Sequence, residues 1–302
     1  FSLRRGEDQI VHVATDGETF GHHFRFGDMA LAYCLHYLES KGLAKITVYG
    51  EHLERHEPGY EVSLVENSSW SCAHGVERWK GDCGCKTGPH AQWHQKWRAP
   101  LREALDWLRD SLVPVYEREM APYLRDPWQA RDEYISVILD RSRANVARYL
   151  SEHAVRQLSK EEHAKVLKLL EMQRHLMLMY SSCGWFFEDI SGIETVQIMR
   201  SASRAMQLAR EVGHVDLEPD YLERVERAPG NTSQFNNGAE VYQMLVKPVA
   251  VDLSKVAAHY ALSSLFEEYP ETTKVFCYTA RRETYDLTEA GLQRLAVGRA
   301  NI

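Results

Sequence analysis

The sequence lacks the features that would place it in a specialised class of protein. No stretch approaches about 18 consecutive apolar residues, and no apolar segment follows the arginines near the N-terminus, so neither a membrane span nor a signal peptide is predicted. Six cysteines in 302 residues are too few for a disulfide scaffold and are typical of a cytoplasmic protein. The net charge of -7, with dispersed Lys and Arg, argues against nucleic acid as a partner.

What is present is the composition of an ordinary globular protein, with 44% apolar and 26% charged residues. The length predicts one or two domains. The pattern changes twice along the chain and divides it into three parts. These are an α/β part over residues 1–66, a loop rich in Cys and Trp over 67–98, and a helical part with a short β tail over 99–302.

In the first part, strand patterns alternate with a helix. Apolar and β-branched runs predict strands at residues 10–14, 45–48 and 61–65. Apolar spacing predicts a helix over 26–41, and Gly42 is a fitting stop. This βαβ order is typical of a parallel sheet or barrel, in which strand ends collect ligands.

Beyond residue 98 the periodicity is helical. Helices are predicted over residues 101–120, 128–150, 161–179, 195–212, 218–227, 239–245 and 254–269. Ser159 and Glu162 form a capping box before the third of these helices. Alternation of aromatic, β-branched and polar residues over 274–285 predicts an antiparallel strand pair.

Two carboxylates and two histidines follow the first predicted strand. Asp16 and Glu18 are two residues apart, and His22 and His23 come next, so together they could contact a sugar or a divalent metal. A turn at Gly17 with solvated carboxylates is the alternative that the spacing leaves open.

The loop contains a candidate metal site. Cys72, Cys83 and Cys85 lie close to His74 in sequence and could hold zinc, with Cys183 as a further thiolate from the helical part. The spacing matches no standard zinc motif, so free cysteines packed against tryptophans, or a reactive thiol, are alternatives.

Tryptophans in and beside the loop are candidates for stacking on sugar rings. Trp70 and Trp185 are the preferred pair, because each adjoins a break rich in Gly or Ser where a cleft could open. Packing in the core is the alternative for any single Trp.

Two groups of residues carry a family resemblance. Residues 16–22, DGETFGH, resemble the fourth conserved region of family 57 glycoside hydrolases, where such a run ends a strand of an incomplete (β/α)7 barrel. Residues 68–85 and 180–195 resemble the helical domain of unknown function 3536 that follows such barrels. The resemblance implies an α/β then mainly α fold: the C-terminal strands of the barrel, a helical bundle and a short β tail.

The resemblance also implies a function. By this resemblance the chain is expected to be the C-terminal portion of a retaining glycoside hydrolase or glucanotransferase acting on α-glucan-type polysaccharide. Asp16 is expected to be the general acid/base, and no cofactor is expected to be required. The nucleophile, a Glu about 5 to 5.5 Å from the acid, is expected from an N-terminal barrel half upstream of Phe1. The alternatives are a metal-dependent carbohydrate deacetylase-type hydrolase and a non-catalytic carbohydrate-binding or assembly module.

Overall fold

A computed structural model describes residues 10–276 and 278–302. The chain divides into two compact units, which we call unit 1 (Phe1–Glu66) and unit 2 (Asn67–Ile302). Within the described residues, no helix is both long enough and apolar enough to cross a membrane.

Unit 1 contains two helices and no buried residue among those described. The helix predicted over 26–41 is confirmed as α1, Gly27–Ser40, and α2 follows at Tyr49–Arg55. Lys41 ends α1 and Gly42 follows it with a φ of 61°, as expected for a glycine stop. The apolar stripe of α1 lies open, as its 67%-exposed Tyr33 illustrates.

The three segments predicted as strands in unit 1 form no β-ladder in the described part of the chain. Val11 and Val13 are 78% and 84% exposed, and the segment over 61–65 is exposed throughout. A strand needs a neighbouring strand to accept and donate its backbone hydrogen bonds, and the described part of unit 1 pairs none of these segments with another strand. The barrel therefore stays a prediction.

Unit 2 is mainly helical, as predicted. Its helices are α3 (Arg98–Met120), α4 (Pro127–Glu133), α5 (Ile135–Leu139), α6 (Arg143–His153), α7 (Lys160–Leu178), α8 (Ile193–Gly213), α9 (Glu218–Val225), α10 (Gly238–Val241) and α11 (Leu253–Ser263). Residues Tyr242–Val246 continue α10 as a π-helical turn.

Side-chain caps determine several of these boundaries. The capping box of Ser159 and Glu162 is confirmed at the start of α7. The prediction of one helix over 128–150 is wrong, because the chain forms α4, α5 and α6 there. Ser142 caps α6 by accepting a hydrogen bond from the Asn145 N–H, which starts a new helix where the periodicity alone indicates continuity.

The core of unit 2 lies among the long helices. α3 contributes a buried stripe that includes Leu101, Leu105, Leu108 and Leu112, and it packs against α7, α8 and α9. Gly184, in the turn before α8, allows close approach, because a Cβ there would lie 2.5 Å from Cγ2 of Ile198.

The β tail is an antiparallel sheet of order β1-β2-β3, formed by β1 (Thr272–Val275), β2 (Tyr278–Ala290) and β3 (Gln293–Asn301). The predicted β tail is thus confirmed in kind and is longer than the predicted range. Gly291, with a φ of 62°, turns the chain between β2 and β3.

Candidate metal centre

The loop that precedes α3 brings four potential metal ligands together. The sulfur atoms of Cys72, Cys83 and Cys85 and one ring nitrogen of His74 all lie within 4.8 Å of one another. Cys72 is buried, Cys83 and Cys85 are half-buried, and His74 is exposed. The centre is therefore partly open on its histidine side.

The spacing of the ligand atoms of Cys72, Cys85 and His74 suits a tetrahedral ion. Zn–S bonds of about 2.3 Å and Zn–N bonds of about 2.0 Å place tetrahedral ligand atoms about 3.8 Å (S to S) and about 3.5 Å (S to N) apart. Cys72 Sγ and Cys85 Sγ are 3.8 Å apart, and Cys85 Sγ lies 3.4 Å from His74 Nδ1. The distance from Cys72 Sγ to His74 Nδ1 is 4.0 Å.

Two glycines with a positive φ lie beside the ligand residues in sequence. Gly75, with a φ of 72°, closes a turn by donating its N–H to the Cys72 carbonyl, and a Cβ there would collide with the carbonyl oxygen of Asn67. Gly84, with a φ of 75°, lies between Cys83 and Cys85 and takes a backbone conformation that residues with a side chain rarely adopt.

Buried polar side chains form hydrogen bonds with the backbone at Gly84 and Cys85. The Gln95 side chain accepts a hydrogen bond from the Gly84 N–H (3.1 Å) and donates one to the Cys85 carbonyl (2.8 Å). Arg98 is fully buried and donates to Gln95 Oε1 (3.1 Å) and to the sulfur of Cys83 (3.5 Å). These contacts orient the cysteines as an outer shell does in metal proteins.

The thiols of Cys72 and Cys85 differ in acidity. Burial of the Cys72 thiol raises its pKa, but hydrogen bonds from the backbone of His74 and Arg78 and from neighbouring side chains outweigh burial and lower the pKa to about 7. Burial raises the pKa of Cys85, and its contact with Cys72 adds to the increase. Without a metal, Cys72 is thus the first of this pair to ionise, and metal binding would release the proton of Cys85.

The loop is attached to the helical part through the segment before α8. Arg78 and Arg98 both donate to the Phe186 carbonyl, at 2.8 and 3.2 Å. The Trp97 indole donates to the Glu188 carbonyl at 2.8 Å, and the Glu188 carboxylate accepts the N–H of Thr87. The loop is therefore part of unit 2 and not a separate linker.

The residues predicted around Asp16 lie in an exposed turn of unit 1. The Thr19 N–H donates to the Asp16 carbonyl at 3.1 Å, so the backbone turns at Gly17 instead of remaining extended. Asp16, Glu18, His22 and His23 are exposed, and the two imidazole rings lie 5.2 Å apart. In the described residues they form no group spaced to hold a metal ion.

The two tryptophans predicted to stack on sugars have opposite environments. Trp70 is 86% exposed and offers a free indole face. Trp185 is fully buried and stacks on Trp97 with a ring separation of 6.1 Å. Trp185 therefore belongs to the core, which corrects its expected role as a ligand platform.

Sequence spacing identified the three cysteines, but it did not decide the fourth ligand. Cys183, the further thiolate considered from the sequence, is exposed and lies outside the cluster. The contacts of Gln95 and Arg98 with Cys85 and Cys83 had no signal in the spacing, because they join residues 10 and 15 positions apart across a loop without regular periodicity.

Comparison with known proteins identifies the helical part. A family model described as a domain of unknown function (DUF3536) matches residues 93–302. No curated protein and no solved structure matches the chain. The cysteines of the metal centre precede the matched region, whereas Gln95, Arg98 and the segment before α8 lie within it. The match covers more than half of the sequence, and the chain therefore belongs to the DUF3536 family.

Proposed function

We propose that the chain is the C-terminal portion of a retaining glycoside hydrolase or glucanotransferase acting on α-glucan-type polysaccharide. The observation that carries this proposal is the occurrence, in one chain, of the DGETFGH run at residues 16–22 and a DUF3536 region. Exposed apolar residues of unit 1, such as Val11 and Val13, support a further barrel half that covers them, because barrel strands bury such side chains against their neighbours.

In this proposal Asp16 acts as the general acid/base. It protonates the glycosidic oxygen as the bond breaks, and it then deprotonates the water or acceptor sugar that attacks the glycosyl-enzyme. The nucleophilic Glu belongs to the barrel half. Glu18, His22 and His23 orient the sugar.

The test is Asp16→Asn in the full-length enzyme. Turnover of an α-glucan should fall by at least about 1,000-fold, because both proton transfers are lost. An activated aryl α-glycoside, whose leaving group needs no acid, should still give a burst of released phenol before turnover stalls. Asp110→Asn, an exposed aspartate on α3, is the control. Full α-glucan activity in Asp16→Asn would refute the proposal.

We propose further that Cys72, His74, Cys83 and Cys85 bind one structural zinc ion. Four protein ligands leave no open position, which is typical of structural sites. Three thiolates and Zn²⁺ carry a net charge of about -1, which the buried guanidinium of Arg98 beside Cys83 complements. The zinc would join two parts of the Trp-rich loop to each other, while the sugar chemistry itself requires no metal.

Metal analysis of the chain purified without chelator tests the zinc proposal. About one zinc per chain is expected in the wild type, and Cys85→Ser should lose it. The matched control is Cys183→Ser, which removes an exposed thiol outside the cluster and should keep the metal. Absence of zinc from the wild-type protein after growth with added zinc would contradict this proposal and leave the glycosidase proposal untouched.

A further inference from the structure

Unit 2 contains a cavity of about 440 Å³ that the metal centre does not use. It lies between α7, α8, the segment that follows α10, and the start of β2. Its volume falls within the range of about 300 to 1,000 Å³ that small-molecule sites occupy. None of its lining residues belongs to the metal centre or to the Asp16 turn.

The lining is mostly apolar but carries positive charge. Valines 246, 249 and 251 and the aromatic rings of Phe276 and Tyr278 form much of the wall. Arg200 and Arg204, one turn apart on α8, supply two guanidinium groups, and no lining residue is acidic. Burial lowers the pKa of the lining histidine, His175, so the arginines carry the charge at neutral pH.

Arg200 has few partners for a half-buried cation. Its Nη2 donates to the Leu245 carbonyl at 3.3 Å, and its buried Nε has no hydrogen-bond partner in the part of the chain described. Arg204, by contrast, lies 3.7 Å from Glu211 and donates to Gln207. A guanidinium removed from water without an anion is costly, so Arg200 favours a ligand that supplies negative charge.

The backbone around the cavity is irregular in two places. Residues Tyr242–Val246 form the π-helical turn that presents the Leu245 carbonyl to Arg200 and Val246 to the cavity. Phe276 has a φ of 57°, an uncommon conformation for an aromatic residue. π-turns and strained residues are frequent at functional sites, which supports a functional role for this cavity.

We propose that this cavity binds a small organic anion. The apolar body of the ligand would pack against the valines and aromatic rings, and its single carboxylate, sulfonate or phosphate group would pair with Arg200. This site is independent of the glycosidase proposal, because it shares no residue with it.

Two fluorescent probes that differ by one charged group test the proposal on the full chain. 8-Anilinonaphthalene-1-sulfonate is an apolar anion, and N-phenyl-1-naphthylamine is its neutral counterpart. The anion should bind at least tenfold more tightly than the neutral probe. Arg200→Gln should weaken anion binding at least tenfold and leave the neutral probe unchanged, whereas Ala250→Trp, which fills the cavity, should block both.

Arg148→Gln, which removes an exposed arginine on α6 outside the cavity, is the control and should bind both probes as the wild type does. Circular dichroism would establish that each variant keeps its helices. Equal binding of the two probes, or anion binding that survives both Arg200→Gln and Ala250→Trp, would overturn the proposal, since the probe would then be bound to apolar surface elsewhere.

Discussion

Unit 1 and unit 2 show opposite relations between motif and assembled site. Unit 1 carries the run DGETFGH, yet its side chains lie exposed on a turn and none of its described residues is buried. Unit 2 carries a cysteine spacing that matches no standard motif, yet its ligand atoms converge within 4.8 Å. A motif thus specifies which groups are available, whereas convergence depends on the packed core that surrounds them.

The cores explain this difference. In unit 2 the loop rich in Cys and Trp lies against buried side chains of α3 and of the segment before α8, and its polar groups form hydrogen bonds there. Among the described residues of unit 1 no apolar side chain is buried, so these residues provide no packed surface for the Asp16 turn. The following matched pairs of substitutions test this comparison, with one member in each unit.

The largest effect is expected for the buried arginine of the metal centre. Arg98→Ala removes the side-chain donor to the Phe187 carbonyl and one of the donors to each of the Phe186 carbonyl and Gln95 Oε1. We expect the free energy of unfolding of unit 2 to fall by about 4 kcal/mol, measured by urea denaturation with circular dichroism. Arg25→Ala, in the exposed part of unit 1, should change it little. Similar losses of unfolding free energy for both variants would contradict the difference in packing between unit 1 and unit 2.

The next pair compares leucines. Leu105 on α3 is fully buried, whereas Leu53 on α2 is 50% exposed. Leu105→Ala should cost about 3 kcal/mol through lost contacts and a cavity, and Leu53→Ala less than about 0.5 kcal/mol. The same denaturation measurement applies. A large cost for Leu53→Ala would indicate that unit 1 has a core of its own in solution.

A pair of glycines tests close packing. A Cβ at Gly184 would lie 2.5 Å from Ile198, whereas a Cβ at Gly59 would meet no atom within 4 Å. Gly184→Ala should therefore destabilise unit 2 by about 2 kcal/mol through overpacking, and Gly59→Ala should be close to neutral. The loss caused by Gly184→Ala should be smaller in an Ile198→Ala background, which removes all three of the side-chain atoms that the added methyl group would meet, and an undiminished loss would contradict the steric explanation.

The smallest expected effect depends on pH. Burial raises the pKa of Glu188, but hydrogen bonds from Thr87 and Gly88 outweigh burial, so its pKa lies below the ordinary 4.5. A lowered carboxylate pKa stabilises the folded state above pH 4.5, and this stabilisation is lost as the pH falls through the lowered value. Glu188→Gln should therefore cost about 1.5 kcal/mol near neutral pH and progressively less as the solution is acidified.

The control for this pH effect is Glu51 in unit 1. Hydrogen bonds from Lys45 and Thr47 and the nearby charge of Arg55 lower its pKa to about 2, but its side chain on α2 remains 33% exposed. Glu51→Gln should leave the acid-induced loss of stability of unit 2 unchanged. Urea denaturation of both variants at several pH values distinguishes them, and identical profiles would contradict the role assigned to Glu188.

Local signals in the sequence predicted a large part of the helical fold. The apolar stripe of α3 and the capping box before α7 depend on residues within a few turns of one another, so the sequence displays them directly. The break between α5 and α6 was missed, because the Ser142 cap competes with an apolar periodicity that continues across it. The pairing of the strands predicted at residues 10–14 and 61–65 does not follow from the sequence, because it depends on a partner strand.

The sequence by itself determined the chemistry available to this protein: three cysteines and a histidine in one loop, and two carboxylates with two histidines in another. Tertiary structure decided which of these groups meet. It brought His74, and not Cys183, beside the three cysteines, and it buried Trp185 in the core. It also placed Gln95 and Arg98 behind the cysteines. The physical reason is that a contact between residues distant in sequence is stable only where a packed core offsets the entropy of ordering the chain between them.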